Sequence, residues 1–186
     1  MTGRRNQTLR TELAPLCFAG FVLVALSAVF VAEARGASDS GAKATATLPV
    51  PRFVSLKSDR VNVRGGPTKD HEVTWVYTRA GLPVEITAEF ENWRRIRDWE
   101  GAEGWVYHSL LSGRRTAVVV SKSKSDLVPV LASPDSGSSV SASLEAGVVG
   151  TVKSCSGSWC HFTGEKFDGW IRQERLWGVY PNETID

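Results

Sequence analysis

The stretch Val61-Asn62-Val63-Arg64-Gly65-Gly66-Pro67 decides how this chain is read, because Val128-Pro129-Val130-Leu131-Ala132-Ser133-Pro134 repeats its form further on. Each is a short β-branched run that breaks at small residues and a proline. Outward from these, Ala80-Gly81 before Val84-Glu85-Ile86 matches Ala146-Gly147 before Gly150-Thr151-Val152. Asn92-Trp93-Arg94-Arg95-Ile96 matches Ser158-Trp159-Cys160-His161-Phe162, and Gly104-Trp105-Val106 matches Gly169-Trp170-Ile171. The four blocks keep their order at a nearly constant offset, which is the mark of a duplicated unit. We therefore expect two tandem domains, residues 52–115 and 116–180, with 181–186 as a tail.

The units read as all-β. Val61–Arg64, Val73–Tyr77, Val84–Glu89, Arg94–Trp99 and Gly104–Tyr107 are short, β-branched or aromatic, and separated by turn residues. No stretch after Ala34 sustains the apolar stripe of a helix. About five strands in so short a unit bury a marginal core. Closing them into a small barrel would remove edges, and tryptophans would give a large apolar payload from few positions. Trp93, Trp105, Trp159 and Trp170 recur at equivalent places, so they are expected to be core material.

The 186 residues are 42% hydrophobic and 23% charged, which excludes wholesale disorder. A net charge of +2 gives no pull toward nucleic acid. At the N-terminus, Arg4, Arg5 and Arg10 precede an uncharged run from Leu13 to Ala32, and Ala32-Glu33-Ala34 places small residues at alternate positions. Residues 1–34 thus read as a secretory signal cleaved after Ala34. The alternative is a retained inner-membrane anchor at residues 13–32, since that run could span a bilayer core of about 30 Å. Either way the chain is expected to be exported, most simply to the periplasm. Residues 35–51, rich in Ser, Ala, Gly and Thr, read as a flexible linker.

Beyond residue 34, Cys155 and Cys160 are the two cysteines that remain, and an even pair in an exported chain reads as a disulfide. They bracket a polar turn, so the bond would staple a hairpin for about 1–3 kcal/mol. Their counterparts Glu89 and Arg94 could pair there as opposite charges. Residues 52–115 carry 11 basic and 9 acidic residues, and residues 116–186 carry 6 and 8. That opposition favours the two copies facing each other.

The opening block with Gly81-x-x-Val84, Trp93-x-x-Ile96 and Gly104-Trp105-Val106 resembles the bacterial SH3-like (SH3b) domain. The second copy has lost the Asn-x-Arg-Gly-Gly core of the opening block and retains mainly Pro134. The closing Leu176-Trp177-Gly178-Val179-Tyr180-Pro181 is similar to the end of exported proteins carrying such tandem domains. The resemblance spans about Val54 to Pro181. It implies two SH3-like barrels acting as non-catalytic modules that bind peptidoglycan or an envelope protein. The Ala-Leu-Tyr-Asp-Tyr signature of eukaryotic SH3 domains is absent, so recognition of proline-rich peptides is not implied.

Catalytic readings find little material. A cysteine nucleophile needs a separate imidazole, but Cys160 and His161 are strand neighbours whose side chains point to opposite faces. His71 and His108 sit among polar residues and read as solvated. A zinc site wants four ligands, and the disulfide claims two of the candidates. Asp98 and Glu100 read as part of a solvated loop. No catalytic residue, cofactor or metal is expected, and a small wall hydrolase is the least favoured function. The candidate binding surface is the loop Gly65–Glu72, including Asp70, with Arg64 at its base, bordering a groove against Trp75, Tyr77 and Trp99. Aromatic and Arg residues are the usual anchors of recognition. The remaining alternative is an adaptor protein with no wall ligand.

Overall fold

The computed structural model describes residues 48–123 and 125–186. The signal or anchor read at residues 1–34, and all but the last residues of the linker, lie outside them. Leu48 and Pro49, at the end of that linker, accept hydrogen bonds from the Arg52 guanidinium at 3.2 and 3.1 Å through their carbonyls.

The first sheet contains β1 (Arg52–Leu56), β2 (Val61–Arg64), β3 (Val73–Tyr77), β4 (Pro83–Phe90), β5 (Trp93–Arg97), β6 (Glu103–Tyr107) and β7 (Leu111–Ser112). The second contains β8 (Thr116–Val119), β9 (Val128–Leu131), β10 (Val140–Leu144), β11 (Val149–Ser156), β12 (Trp159–Thr163), β13 (Asp168–Arg172) and β14 (Leu176–Trp177). Their orders are β3-β2-β6-β5-β4-β1-β7 and β10-β9-β13-β12-β11-β8-β14, and every pairing is antiparallel. The second order is the first with each strand advanced by seven, so the duplication read from the sequence is a duplication of topology. Even the single 3₁₀ turns, His108–Leu110 and Gln173–Arg175, occupy the same place.

Alternation sets what each strand buries. In β2, Val61 and Val63 are fully buried and Asn62 is exposed. With Val84, Ile86, Ile96 and Val106 they form the first core. Val128, Val130, Val152, Phe162 and Ile171 form the second. Each such side chain contributes roughly 1.5–3 kcal/mol by leaving water.

The recurrent tryptophans are not the core. Trp93 alone of the four is buried, at 8% exposure, whereas Trp105, Trp159 and Trp170 are half-buried. The reason lies in the Gly-Trp-Val and Gly-Trp-Ile blocks. In β6, Gly104 and Val106 point inward, which turns Trp105 out. Gly104 is small because β6 crosses close to β2: a Cβ there would stand 2.4 Å from Val63 Cγ1. In β13, a Cβ on Gly169 would meet the Leu131 carbonyl oxygen at 2.5 Å. The block thus marks a close strand crossing, and its tryptophan covers the outside. Trp170 stacks on His161 at 5.1 Å, and the Arg172 guanidinium lies 4.2 Å from the Trp159 ring.

Each sheet curls into a small SH3-like barrel whose end strands carry no ladder to one another among the described residues, so β3 is an edge, and its Val73 and Val76 are exposed. The extra strands β1 and β7 extend the sheet.

At the β4–β5 hairpin, Glu89 faces Arg94, and Arg94 Nε lies 2.9 Å from Glu89 Oε1. Arg52 joins the same carboxylate. At the matching β11–β12 position Cys155 faces Cys160, and the two form a disulfide. The following chain end then covers Cys155, with Ile185 exchanging backbone hydrogen bonds with it at 2.8 and 3.1 Å. Residues 181–186 are therefore part of the second domain's packing.

The domains meet through aromatic and polar contacts rather than through opposed net charges. Phe53 packs against Trp177 and Tyr180, with ring centroids 4.9 and 4.6 Å away. Tyr180 donates its hydroxyl to Glu85 at 2.9 Å, and Arg97 binds the other oxygen of that buried carboxylate. Burial, and then the bond to Glu85, push the Tyr180 phenol well above its ordinary pKa.

Candidate ligand-binding site

Trp75 and Tyr77 lie on β3, opposite Val63 and Val61 of β2, and share their core-facing side. Their rings meet edge to face at 6.1 Å. The turn between β5 and β6 brings Trp99 onto the same first core. Asp98, just before it, ties the turn to the strand by accepting the Tyr77 hydroxyl at 2.8 Å. Its other oxygen accepts the backbone N–H groups of Glu100 and Ala102 at 3.0 and 2.9 Å. The reading of Asp98 as a solvated loop residue is thus corrected: it is 6% exposed because three donors replace its water. Burial first, and the bond to Asp98 next, raise the Tyr77 phenol well above the ordinary tyrosine value. It stays a neutral donor at physiological pH.

Arg64 does not border this cluster. It follows a register shift in β2 and lies with exposed Asn62 over a separate hollow of about 170 Å³, lined also by Lys69, Trp93, Tyr107 and Leu110. The alternation of the strand sends Arg64 to the face opposite Trp75 and Tyr77. Its guanidinium donates to the His71 carbonyl at 2.6 Å and holds the loop after β2. The His71 ring covers Gly66, where a Cβ would stand 2.3 Å from Nε2. Asp70 is exposed on that loop, its backbone N–H donating to Thr68 Oγ1 at 3.2 Å. The five candidates therefore divide into an aromatic cluster, an outer hollow and a loop tip. Sequence reasoning missed Asp98, and missed Trp93 and Tyr107 as walls of the hollow, where their rings meet edge to face at 5.5 Å. The pair Asp98 and Tyr77 carries no local signal, since its partners come from distant strands.

The second domain lacks the cluster. At the registers of Trp75, Tyr77, Asp98 and Trp99 it places Ala142, Leu144, Gly164 and Glu165. Phe167 fills that end, packing on Phe162 at 5.2 Å and over Gly164. Around the old Cys/His candidate, Cys160 is buried in the disulfide while His161 points out to Asp168 at 2.9 Å. Among the described residues no group of three or more His, Cys, Asp or Glu is placed to hold a metal ion.

Two small tandem all-β units of identical strand order define the architecture. The family model of the bacterial SH3 domain matches residues 57–113 and again 124–178, and the chain belongs to that family. Domains of this family are binding modules and usually occur in exported proteins. Among the described residues no helix is long and apolar enough to cross a membrane. No curated protein matches the chain. Among solved structures it is similar to NlpC2 from Trichomonas vaginalis, at 11% identity and a TM-score of 0.32, over 70% of this chain and 49% of that one. NlpC1 from the same organism is similar at 11% identity and a TM-score of 0.31, over 72% and 48%. The chain spans about half the length of these structures.

Proposed function

We propose that this chain is an exported, non-catalytic module of the bacterial cell envelope that recognises peptidoglycan or an envelope protein. The first domain makes the recognition, through Trp75, Tyr77 and Trp99 as anchors, while Arg64 and Asp70, on another face and on the loop tip, stand apart from that surface. One observation carries this reading. Both domains share a single topology, yet only the first holds the Trp75–Tyr77–Asp98–Trp99 cluster. A fold that closes with Ala142, Leu144, Gly164 and Glu165 does not need that cluster for folding. The buried Asp98 carboxylate holds the Tyr77 ring in place, and an aromatic already held loses less entropy on binding.

The test is sedimentation of the purified chain with isolated sacculi, paired with affinity capture from an envelope extract. Recovery in the sacculus pellet, or capture of an envelope protein that Trp75→Ala and Trp99→Ala both abolish, supports the proposal. A chain recovered in neither fraction contradicts it.

A further inference from the structure

A trough runs between the two domains, away from the aromatic cluster. Its main hollow, about 570 Å³, has Arg79, Ala80, Gly81 and Arg114 on the first-domain side and Leu144, Val148, Val149, Lys166 and Phe167 on the other. A smaller hollow of about 250 Å³ shares Ala80, Gly81 and Arg114 and adds Lys57. The Arg114 guanidinium arches over the Ala80–Gly81 turn, 3.4 Å from where a Gly81 side chain would begin.

The charge in this trough is one-sided. Lys57, Arg79, Arg114 and Lys166 are all exposed, and Glu165 is the one acid among the lining residues. Five arginines elsewhere are spent on carboxylates, Arg52 and Arg94 on Glu89, Arg95 on Glu103, Arg97 on Glu85, and Arg115 on Glu183, while Arg64 and Arg172 are held by the His71 carbonyl and by Ser158 and the Trp159 ring. None of the four trough cations makes an ion pair among the described residues. Thr116, 3% exposed, also lines the trough, and its hydroxyl has no hydrogen-bond partner. Such an orphan is uncommon in a folded interior. The floor between the cations is apolar, built from Leu144, Val148, Val149 and Phe167.

We infer that this trough is a second binding site and that it takes an extended acidic peptide segment of a protein partner. Carboxylates would meet the cations contributed by both domains, and interspersed apolar side chains would cover the floor. Charge complementarity selects the acid. The apolar floor selects a peptide over a uniformly hydrophilic polyanion, which would leave that surface wet. Exposed ion pairs are individually weak and screened by salt, so affinity rests on several pairs acting with the apolar contacts. Because the cations come from both domains, the site exists only while the domains stay docked.

The probe is a fluorescein-labelled octapeptide of alternating Glu and Leu, titrated with the purified full chain and followed by fluorescence polarisation. The inference predicts binding that weakens at least about tenfold, or about 1.4 kcal/mol, in Arg79→Ala/Arg114→Ala, and that falls steeply as salt rises. The alternating Gln and Leu peptide should not bind. Trp75→Ala/Trp99→Ala should bind the acidic peptide like the parent chain, which separates this site from the first-domain reading. Three results would overturn the inference. One is the absence of acidic-peptide binding. Another is undiminished binding by the double arginine variant when its circular dichroism and thermal midpoint match the parent. The third is polyphosphate displacing the peptide at an equal concentration of charge.

Discussion

Asp98 shows how much a single side chain can hide from its sequence context. Its neighbours Arg97, Trp99, Glu100 and Gly101 suggest a solvated turn, and only the fold brings the Tyr77 hydroxyl to it. Replacing Asp98 by Ala leaves that hydroxyl and two backbone N–H groups without partners. The expected cost is about 2–4 kcal/mol in chemical denaturation, by the penalty for unsatisfied buried donors. Tyr77→Phe removes a single bond and should cost about 1 kcal/mol; equal losses from the two variants would count against Asp98 as the hub. The tryptophans teach the converse lesson. Their recurrence was legible, but recurrence in the outward register of Gly104-Trp105-Val106 means cover, not core. A residue's face follows from strand alternation, which composition alone cannot supply.

At the level of elements, β2 and β3 carry the bounds their β-branched runs announce, and the repeat was legible from four short blocks. β1, β7 and β14 were not, because two-residue strands and a strand that opens straight out of the linker have no alternation to read. The hairpins at Glu89/Arg94 and Cys155/Cys160 show one register solved by two chemistries. In the first, a carboxylate is shared by Arg94 and Arg52; in the second, a covalent staple is covered by Ile185. Cys155→Ser/Cys160→Ser should therefore destabilise the second domain by about 2 kcal/mol, the loop-closure value for so short a loop. Differential scanning calorimetry of oxidised and reduced chain would register it, and identical endotherms would show that the staple contributes nothing. Gly104→Ala tests the crossing of β6 over β2, where Val63 Cγ1 would stand 2.4 Å from the new methyl. A loss of about 1–3 kcal/mol is expected from that overpacking.

Across the whole molecule, the two barrels are joined by contacts that titrate. Burial alone would raise the Glu183 pKa, but the paired Arg115 guanidinium and the Tyr180 backbone N–H outweigh it and hold it below the ordinary 4.5. A depressed carboxylate contributes stability that is full above its unfolded pKa and is lost as pH falls through the folded one. Thermal midpoints should thus drop more steeply below pH 4.5 in the parent chain than in Glu183→Gln; parallel curves would remove Glu183 from the acid response. Tyr180 works in the opposite sense: its raised phenol keeps the bond to Glu85 until pH rises past the ordinary 10.0. The central claim is that one domain of a duplicated pair kept a recognition cluster while the other closed its barrel without one. Its most direct measurement is the affinity of the purified chain for isolated sacculi or the captured envelope protein, compared between Trp75→Ala/Trp99→Ala and the second-domain variant Trp159→Ala/Trp170→Ala. The first variant, still folded by circular dichroism, is expected to lose at least about tenfold in affinity, while the second, equally folded, binds as the parent does. Undiminished binding by a folded Trp75→Ala/Trp99→Ala chain would contradict it.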